Sequence, residues 1–321
     1  MKAVVFDGEI KFVENYPLPS AAAGEALIRV RMAGICSTDL EIIKGYRGFQ
    51  GVMDHEFVGV VEETSGTAEH LRGRRVVGEI NSGCGMCEYC RAGMKRHCPS
   101  RTSLGIVGRD GALAEYVVLP AENLFIVPSD IKDEEAVFIE PLAAAYEILE
   151  QIHVRPTDAI LVLGDGKLGT LAALVLHLSQ AQVVLAGKHE DKLSVARNQG
   201  VATMGLPDLS LNRIFDVVVD ATGSPEGFLH ALHYVKPGGT IVLKTTSAEN
   251  TTVNLASVVV DEIHVVGSRC GPFEPALRSL SEKRIKVGPL ITGIYSFSRA
   301  TEAFAKAREK GSLKVLIDFS K

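Results

Sequence analysis

The sequence predicts an α/β chain in two parts: a β-rich first part, and a second part in which strands and helices alternate around a parallel sheet wound on both faces. Three observations carry this expectation. Residues 1 to about 130 break into short alternating or apolar runs between glycines; from Asp133 strands and helices take turns; and 321 residues exceed what one ordinary core organises. The expected boundaries are 1–132 for the β-rich domain, 133–288 for the doubly wound domain and 289–321 for a closing segment.

In the first part "ALIRVRMAGI", "FVGVVEE", "RRVVGEI" and "AEYVVLP" read as strands, punctuated by Gly24, Gly51, Gly73 and Gly111. "DEEAVFIEPLAAAYEILEQI" then has helical spacing and acidic residues at its start. "AILVL" is a buried strand, "KLGTLAALVLHLS" a helix, "QVVLAG" a strand, "EDKLSVARNQG" a helix ending at Gly200, and "IFDVVVDATG" a strand. "PEGFLHALHYVKPGG" reads as a helix closed by glycines, followed by the strands "TIVLKTT" and "IHVVGS". The closing segment gives a strand, an amphipathic helix and a last strand.

Hydrophobic residues make up 46% of the chain and charged residues 23%, a balance that buries a core and excludes disorder. The formal net charge of -5, with no basic run, argues against a nucleic-acid surface or a membrane-facing patch. The opening "MKAVVFDGEIKF" alternates like a strand rather than a signal peptide, and no segment is apolar enough to span a membrane. A reducing, cytoplasmic location is expected, where clustered cysteines hold metal more often than they form disulfides.

Four of the six cysteines, Cys84, Cys87, Cys90 and Cys98, fall within the stretch 82–99 as CxxCxxCx7C. Two-residue gaps let a tight loop aim several sulfurs at one point, which suits a closed, structural tetrahedral zinc; paired or buried thiols and an iron-sulfur cluster are the alternatives. "LVLGDGKLG" places Gly164, Gly166, Lys167, Leu168 and Gly169 as GxGxxG between a strand and a helix, the pattern that seats a dinucleotide pyrophosphate on a helix N-terminus. An acidic residue about 20 positions on would bind the adenosine ribose. Gly187 and Lys188 stand there instead, with no carboxylate to repel a phosphate, so NADP is favoured over NAD; Glu190 swinging back to serve NAD is the alternative.

Upstream, "GICSTD" and "MDHEFVG" offer Cys36, His55 and Glu56, and "FIEPLA" offers Glu140. The order of "CSTD", "HE", the four-cysteine stretch, "GALAEY", "EPL" and the glycine-rich turn resembles the zinc-containing medium-chain alcohol and polyol dehydrogenases, in the sorbitol and threonine dehydrogenase branch, over essentially the whole chain. The resemblance implies a GroES-like catalytic domain, to which the last segment returns, and a Rossmann domain. It also implies two zincs per chain and reversible oxidation of an alcohol or polyol to a ketone or aldehyde. It makes Cys36, His55 and Glu140 ligands of a catalytic zinc, with Glu56 ligating or exchanging beside it. Asp39 would orient His55, and Thr38 would take the substrate proton. A homodimer or homotetramer is expected on the same ground.

Departures accompany the likeness. Asp54 replaces a glycine before His55, Ser65 stands where the signature expects Gly or Ala, and Glu41 occupies a position where many relatives relay the proton through His. A carboxylate at 54 is expected to alter metal affinity or recognise a substrate cation. A catalytically silent relative and a zinc-lobe binding protein are the competing functions. The second leaves Cys36, His55, Glu140 and the glycine turn unused.

Overall fold

The computed structural model describes residues 1–320 apart from Ser65 and Ala248, so the departure at Ser65 lies outside the described residues. The chain divides into two compact units, Met1–Glu140 with Ile291–Lys321, and Pro141–Leu290.

The first unit is built on a seven-stranded sheet. Its main path runs Leu124–Ile126, Arg75–Gly78, Phe57–Thr64, Glu25–Ile35, Lys314–Asp318 and Ile291–Ser296, and Tyr116–Pro120 also pairs with Glu25–Ile35. The long strand Glu25–Ile35 alternates where one face meets water: Ile28, Val30 and Met32 are buried while Arg29 and Arg31 are exposed. Beyond Met32 it is buried at every residue, because the chain's last strand closes over it. That antiparallel pairing sets Val315 opposite Ile35 and Leu316 opposite Gly34, which brings Lys314 level with the exit of the long strand at Cys36. A smaller sheet of Asn81–Ser82, Thr102–Leu104 and Gly108–Arg109 carries the cysteine stretch.

The second unit holds a six-stranded parallel sheet. Its spatial order is Ala202–Gly205, Gln182–Gly187, Ala159–Leu163, Phe215–Asp220, Val235–Leu243 and His264–Gly267. In chain order this is third, second, first, fourth, fifth, sixth, the arrangement of a dinucleotide-binding domain, and its direction reverses beside Ala159–Leu163. The central strands are apolar runs because helices cover both faces: Ile160, Leu161 and Val162 have no exposed surface.

The structure departs from the sequence reading in several elements. Ala202–Gly205 is a strand that the sequence does not announce, since "ATMG" is short and lacks an apolar run. The helix Gly227–Tyr234 stops before "KPGG", which opens the strand Val235–Leu243 instead of capping the helix. The expected helix from Asp133 is two, Asp133–Ala136 and Ile139–Gln151. Ala256–Val260 and Phe273–Ser281 are further helices. No helix among the described residues is long and apolar enough to cross a membrane.

Candidate metal centre and nucleotide turn

Cys36 ends the long strand and caps the short helix Ser37–Ile43. Asp39, in the first turn of that helix and fully buried, accepts the Cys36 amide at 2.7 Å and the Asp54 amide at 3.1 Å. One carboxylate thus fastens together two segments that carry metal-ligand types. The loop reaching His55 passes through Asp54 at φ 74, the left-handed region that a glycine adopts without strain. Asp54 is fully buried, and its Oδ1 accepts the Glu56 amide at 3.0 Å, so it presents no exposed carboxylate to a substrate cation. Burial, then the neighbouring Asp39, pushes its carboxyl well above the usual range.

Donor atoms of Cys36, His55 and Glu56 lie within 4.8 Å of one another, and His55 and Glu56 are 3% and 1% exposed. Burial pulls the His55 imidazole down, but the Cys36 thiol, Asp39 and Glu140 outweigh it and hold the ring at about 10. Its Nδ1 has no hydrogen-bond partner, so the Asp39 carboxylate acts on it through space. Glu140, in the first turn of Ile139–Gln151, adds to this field but stays outside the 4.8 Å group. Thr38 Oγ1 is 3.6 Å from Cys36 Sγ. Glu41 pairs at the surface with Lys44 at 2.7 Å.

At this centre the residue that sequence reading missed is Lys314. It has no exposed surface, forms an ion pair with Glu56 and donates to the Gly34 carbonyl at 2.9 Å. Burial lowers its ammonium to about 8 against the opposing pull of Cys36, Asp54 and Asp39. Nothing in "SLKVLIDF" signals this, because the burial depends on pairing with the distant strand.

The four lobe sulfurs also converge within 4.8 Å. Gly83 lets Cys90 close in, since an added Cβ would stand 2.7 Å from its sulfur. Amides of Met86 and Cys87 draw the Cys84 thiol down to about 6, whereas burial pushes Cys90 up to about 11. Both donor sets fit zinc: four sulfurs for a closed tetrahedral site, and a mixed sulfur, nitrogen and oxygen set for an open one.

In the second unit Gly164 (φ 114) ends the strand Ala159–Leu163, and a Cβ there would stand 2.4 Å from the Ala221 carbonyl. A Cβ on Gly169 would come within 1.9 Å of the Gly164 carbonyl, so helix and strand meet too closely for any other residue. Gly166 precedes the helix Lys167–His177, and a Cβ on it would meet nothing within 4 Å. Its open face and the helix N-terminus fit a pyrophosphate. Lys188 is exposed, while Glu190 is held by the two terminal guanidinium nitrogens of Arg197, at 2.5 and 3.1 Å, which opposes its turning to a ribose. The expectation that no carboxylate lies near Gly187 is corrected. Asp165, in the turn itself, fills that space: a Cβ on Gly187 would be 2.4 Å from its Cβ and its Oδ2.

Residues 22–129 match the alcohol dehydrogenase GroES-like domain family, and residues 168–282 match the zinc-binding dehydrogenase family. The chain belongs to the zinc-dependent medium-chain dehydrogenases. Within that family it is 34% identical to an L-threonine 3-dehydrogenase of Streptomyces coelicolor, with 96% of each chain covered. It is 28% identical to D-xylulose reductase A of Aspergillus oryzae, over 96% of this chain and 93% of the relative. Among solved structures, an Escherichia coli alcohol dehydrogenase complexed with NADH superposes with TM-score 0.90 at 27% identity over 99% of both chains. A zinc-binding dehydrogenase of Sinorhizobium meliloti bound to NADP gives 0.89 at 26%, over 99% of this chain and 98% of its own.

Proposed function

We propose that the protein is a zinc-dependent oxidoreductase that interconverts an alcohol or polyol and its ketone or aldehyde, using a nicotinamide cofactor. The observation that carries this reading is the convergence of a thiol from one segment with an imidazole and a carboxylate from another in a closed interior. Zinc bound there would supply the acidity that a substrate hydroxyl needs, and a bound nicotinamide would supply the hydride acceptor. The chain's own groups do the rest. Cys36 and His55 are the fixed ligands, and Asp39 holds their two segments in register. By the family resemblance Glu140 takes the third ligand position, with Glu56, which pairs with Lys314, ligating or exchanging beside it. Thr38, beside the Cys36 sulfur, accepts the hydrogen bond of the substrate hydroxyl and begins the proton's way out to solvent.

Cys84, Cys87, Cys90 and Cys98 hold a second, structural zinc, for two per chain. NADP is the favoured cofactor, supported by Gly187, by exposed Lys188 and by the engagement of Glu190 with Arg197. Substrates belong to the secondary alcohols, polyols and β-hydroxy amino acids, the classes to which the named relatives point. A cytoplasmic homodimer or homotetramer completes the reading. Elemental analysis should find about two zincs per chain. Cys36→Ser should remove one of them together with turnover across an alcohol screen. One zinc in the native chain, unchanged by Cys36→Ser, would leave only the lobe and end the proposal.

A further inference from the structure

Dinucleotide domains place a carboxylate at the end of the second strand to bind the adenosine ribose. Here that position is Gly187, and the room its missing side chain leaves is taken by Asp165, which reaches across from the glycine turn. Asp165 is only 8% exposed, and its Oδ2 collects three donors. They are the Lys188 amide at 2.6 Å, the His189 amide at 2.7 Å and the His189 ring Nδ1 at 3.0 Å. Oδ1 lies 3.3 Å from the same ring nitrogen. A carboxylate spent on two amides and a ring has little capacity left for a ribose diol, which asks for both oxygens at once. What it does control is the course of the chain after the strand. The Lys188 side chain is exposed and the His189 side chain 40% exposed, both at the carboxyl end of the sheet where a dinucleotide lies. The Ser224 hydroxyl chiefly holds the Glu226 carboxyl below its usual range, and Lys188 adds to this through space.

We propose that Asp165 is a positioning residue for cofactor choice: by filling the space at Gly187 and tying down the Lys188 and His189 amides, it sets the Lys188 ammonium, with the His189 ring beside it, as the receptor for the adenosine 2′-phosphate. This deepens the NADP reading above and rests on it. The carboxylate that would repel that phosphate from the strand end is drawn back into the turn, where backbone amides and an imidazole balance its charge.

The test compares 2′,5′-ADP with 5′-AMP, and NADP with NAD, by calorimetric titration of the full-length protein in three forms: native, Asp165→Ala and Asp165→Asn. Losing charge-assisted bonds that set the receptor should weaken 2′,5′-ADP about 10-fold or more in Asp165→Ala. Binding of 5′-AMP should change less than about 3-fold, within the spread of indirect effects. Asp165→Asn, which still accepts from both amides, should recover most of the loss. Without any nucleotide, hydrogen exchange at the amides of residues 188 and 189 should quicken in Asp165→Ala and stay slow in Asp165→Asn. A second variant, Asp165→Gly with Gly187→Asp, moves the carboxylate to the strand end without the clash that Gly187→Asp alone would meet. It should transfer the preference to NAD. Native preference for 5′-AMP and NAD would overturn the NADP reading and this inference together. Native preference for NADP with an unchanged ratio in Asp165→Ala, or with 5′-AMP weakened as much as 2′,5′-ADP, would overturn the inference alone.

Discussion

Lys314 carries a charge where no water reaches, and three neighbours answer it. Its ammonium pairs with Glu56, donates to the Gly34 carbonyl at 2.9 Å and stands 5.8 Å from the centre of the Phe138 ring, within cation–π range. Removing one member of a buried pair strands the other without compensation, which costs about 3–5 kcal/mol. Lys314→Met should destabilise metal-stripped protein by about that amount, read from urea unfolding, and adding Glu56→Gln should return most of it. A single variant as stable as the native chain would show that the pair contributes nothing. Residues of this kind escape a reading of sequence, because a lysine among "SLKVLIDF" is buried by contacts formed 280 positions away. Cys36, His55 and Glu56 were legible for the opposite reason: thiol, imidazole and carboxylate carry chemistry in their type, and their motifs keep a recognisable order. Asp165 was missed because the variable position of a glycine motif carries no expectation of its own, and an empty Gly187 does not reveal what fills it.

At the scale of elements, the glycine turn separates two requirements that its spacing alone merges. Gly169 is required by packing, since a Cβ would overlap the Gly164 carbonyl at 1.9 Å. Gly166 is required by the ligand, because its φ of -72 suits any residue and the space around its Cβ is open. Gly169→Ala should therefore cost about 1–3 kcal/mol through overpacking. Gly166→Ala should leave stability level or raise it by about 0.4–1 kcal/mol, yet block the approach of a pyrophosphate and weaken NADP and NAD alike. Thermal unfolding paired with nucleotide titration checks both, and undiminished binding in Gly166→Ala would remove the pyrophosphate from this turn. The central strands of the same sheet could be read from sequence because burial on both faces demands apolar runs such as "AILVL". Ala202–Gly205 could not, since it lies at the sheet's edge, where one neighbour suffices and "ATMG" meets the demand. "KPGG" misled for a related reason: glycine and proline mark helix ends by local preference, while parallel pairing of Val235 with Phe215 drew this segment into a strand.

At the scale of the whole molecule, one edge of the parallel sheet remains to be answered. Among the described residues, His264–Gly267 is the terminal strand of the six, with the fifth strand on one side and no strand on the other. Exposed strand edges invite pairing with another chain, and charges or proline commonly guard them. On this strand Val265 is 43% exposed, and the adjoining helix with its cap leaves Leu255, Val259 and Val260 at 63%, 73% and 79%. Apolar surface of this kind gathered along an unpaired edge favours a two-fold contact in which two copies of the strand lie side by side and the valines of each cover the other. Sedimentation equilibrium should then give at least twice the 34.4 kDa chain mass. Val260→Lys combined with Val265→Lys should halve the assembly by placing like charges against each other across the axis. The same double variant should keep its zinc, because Cys36, His55, Glu56 and the four lobe cysteines all belong to the first unit. A native chain that sediments at 34.4 kDa would show that this edge tolerates water without a partner, and the expectation of an oligomer would fall with it.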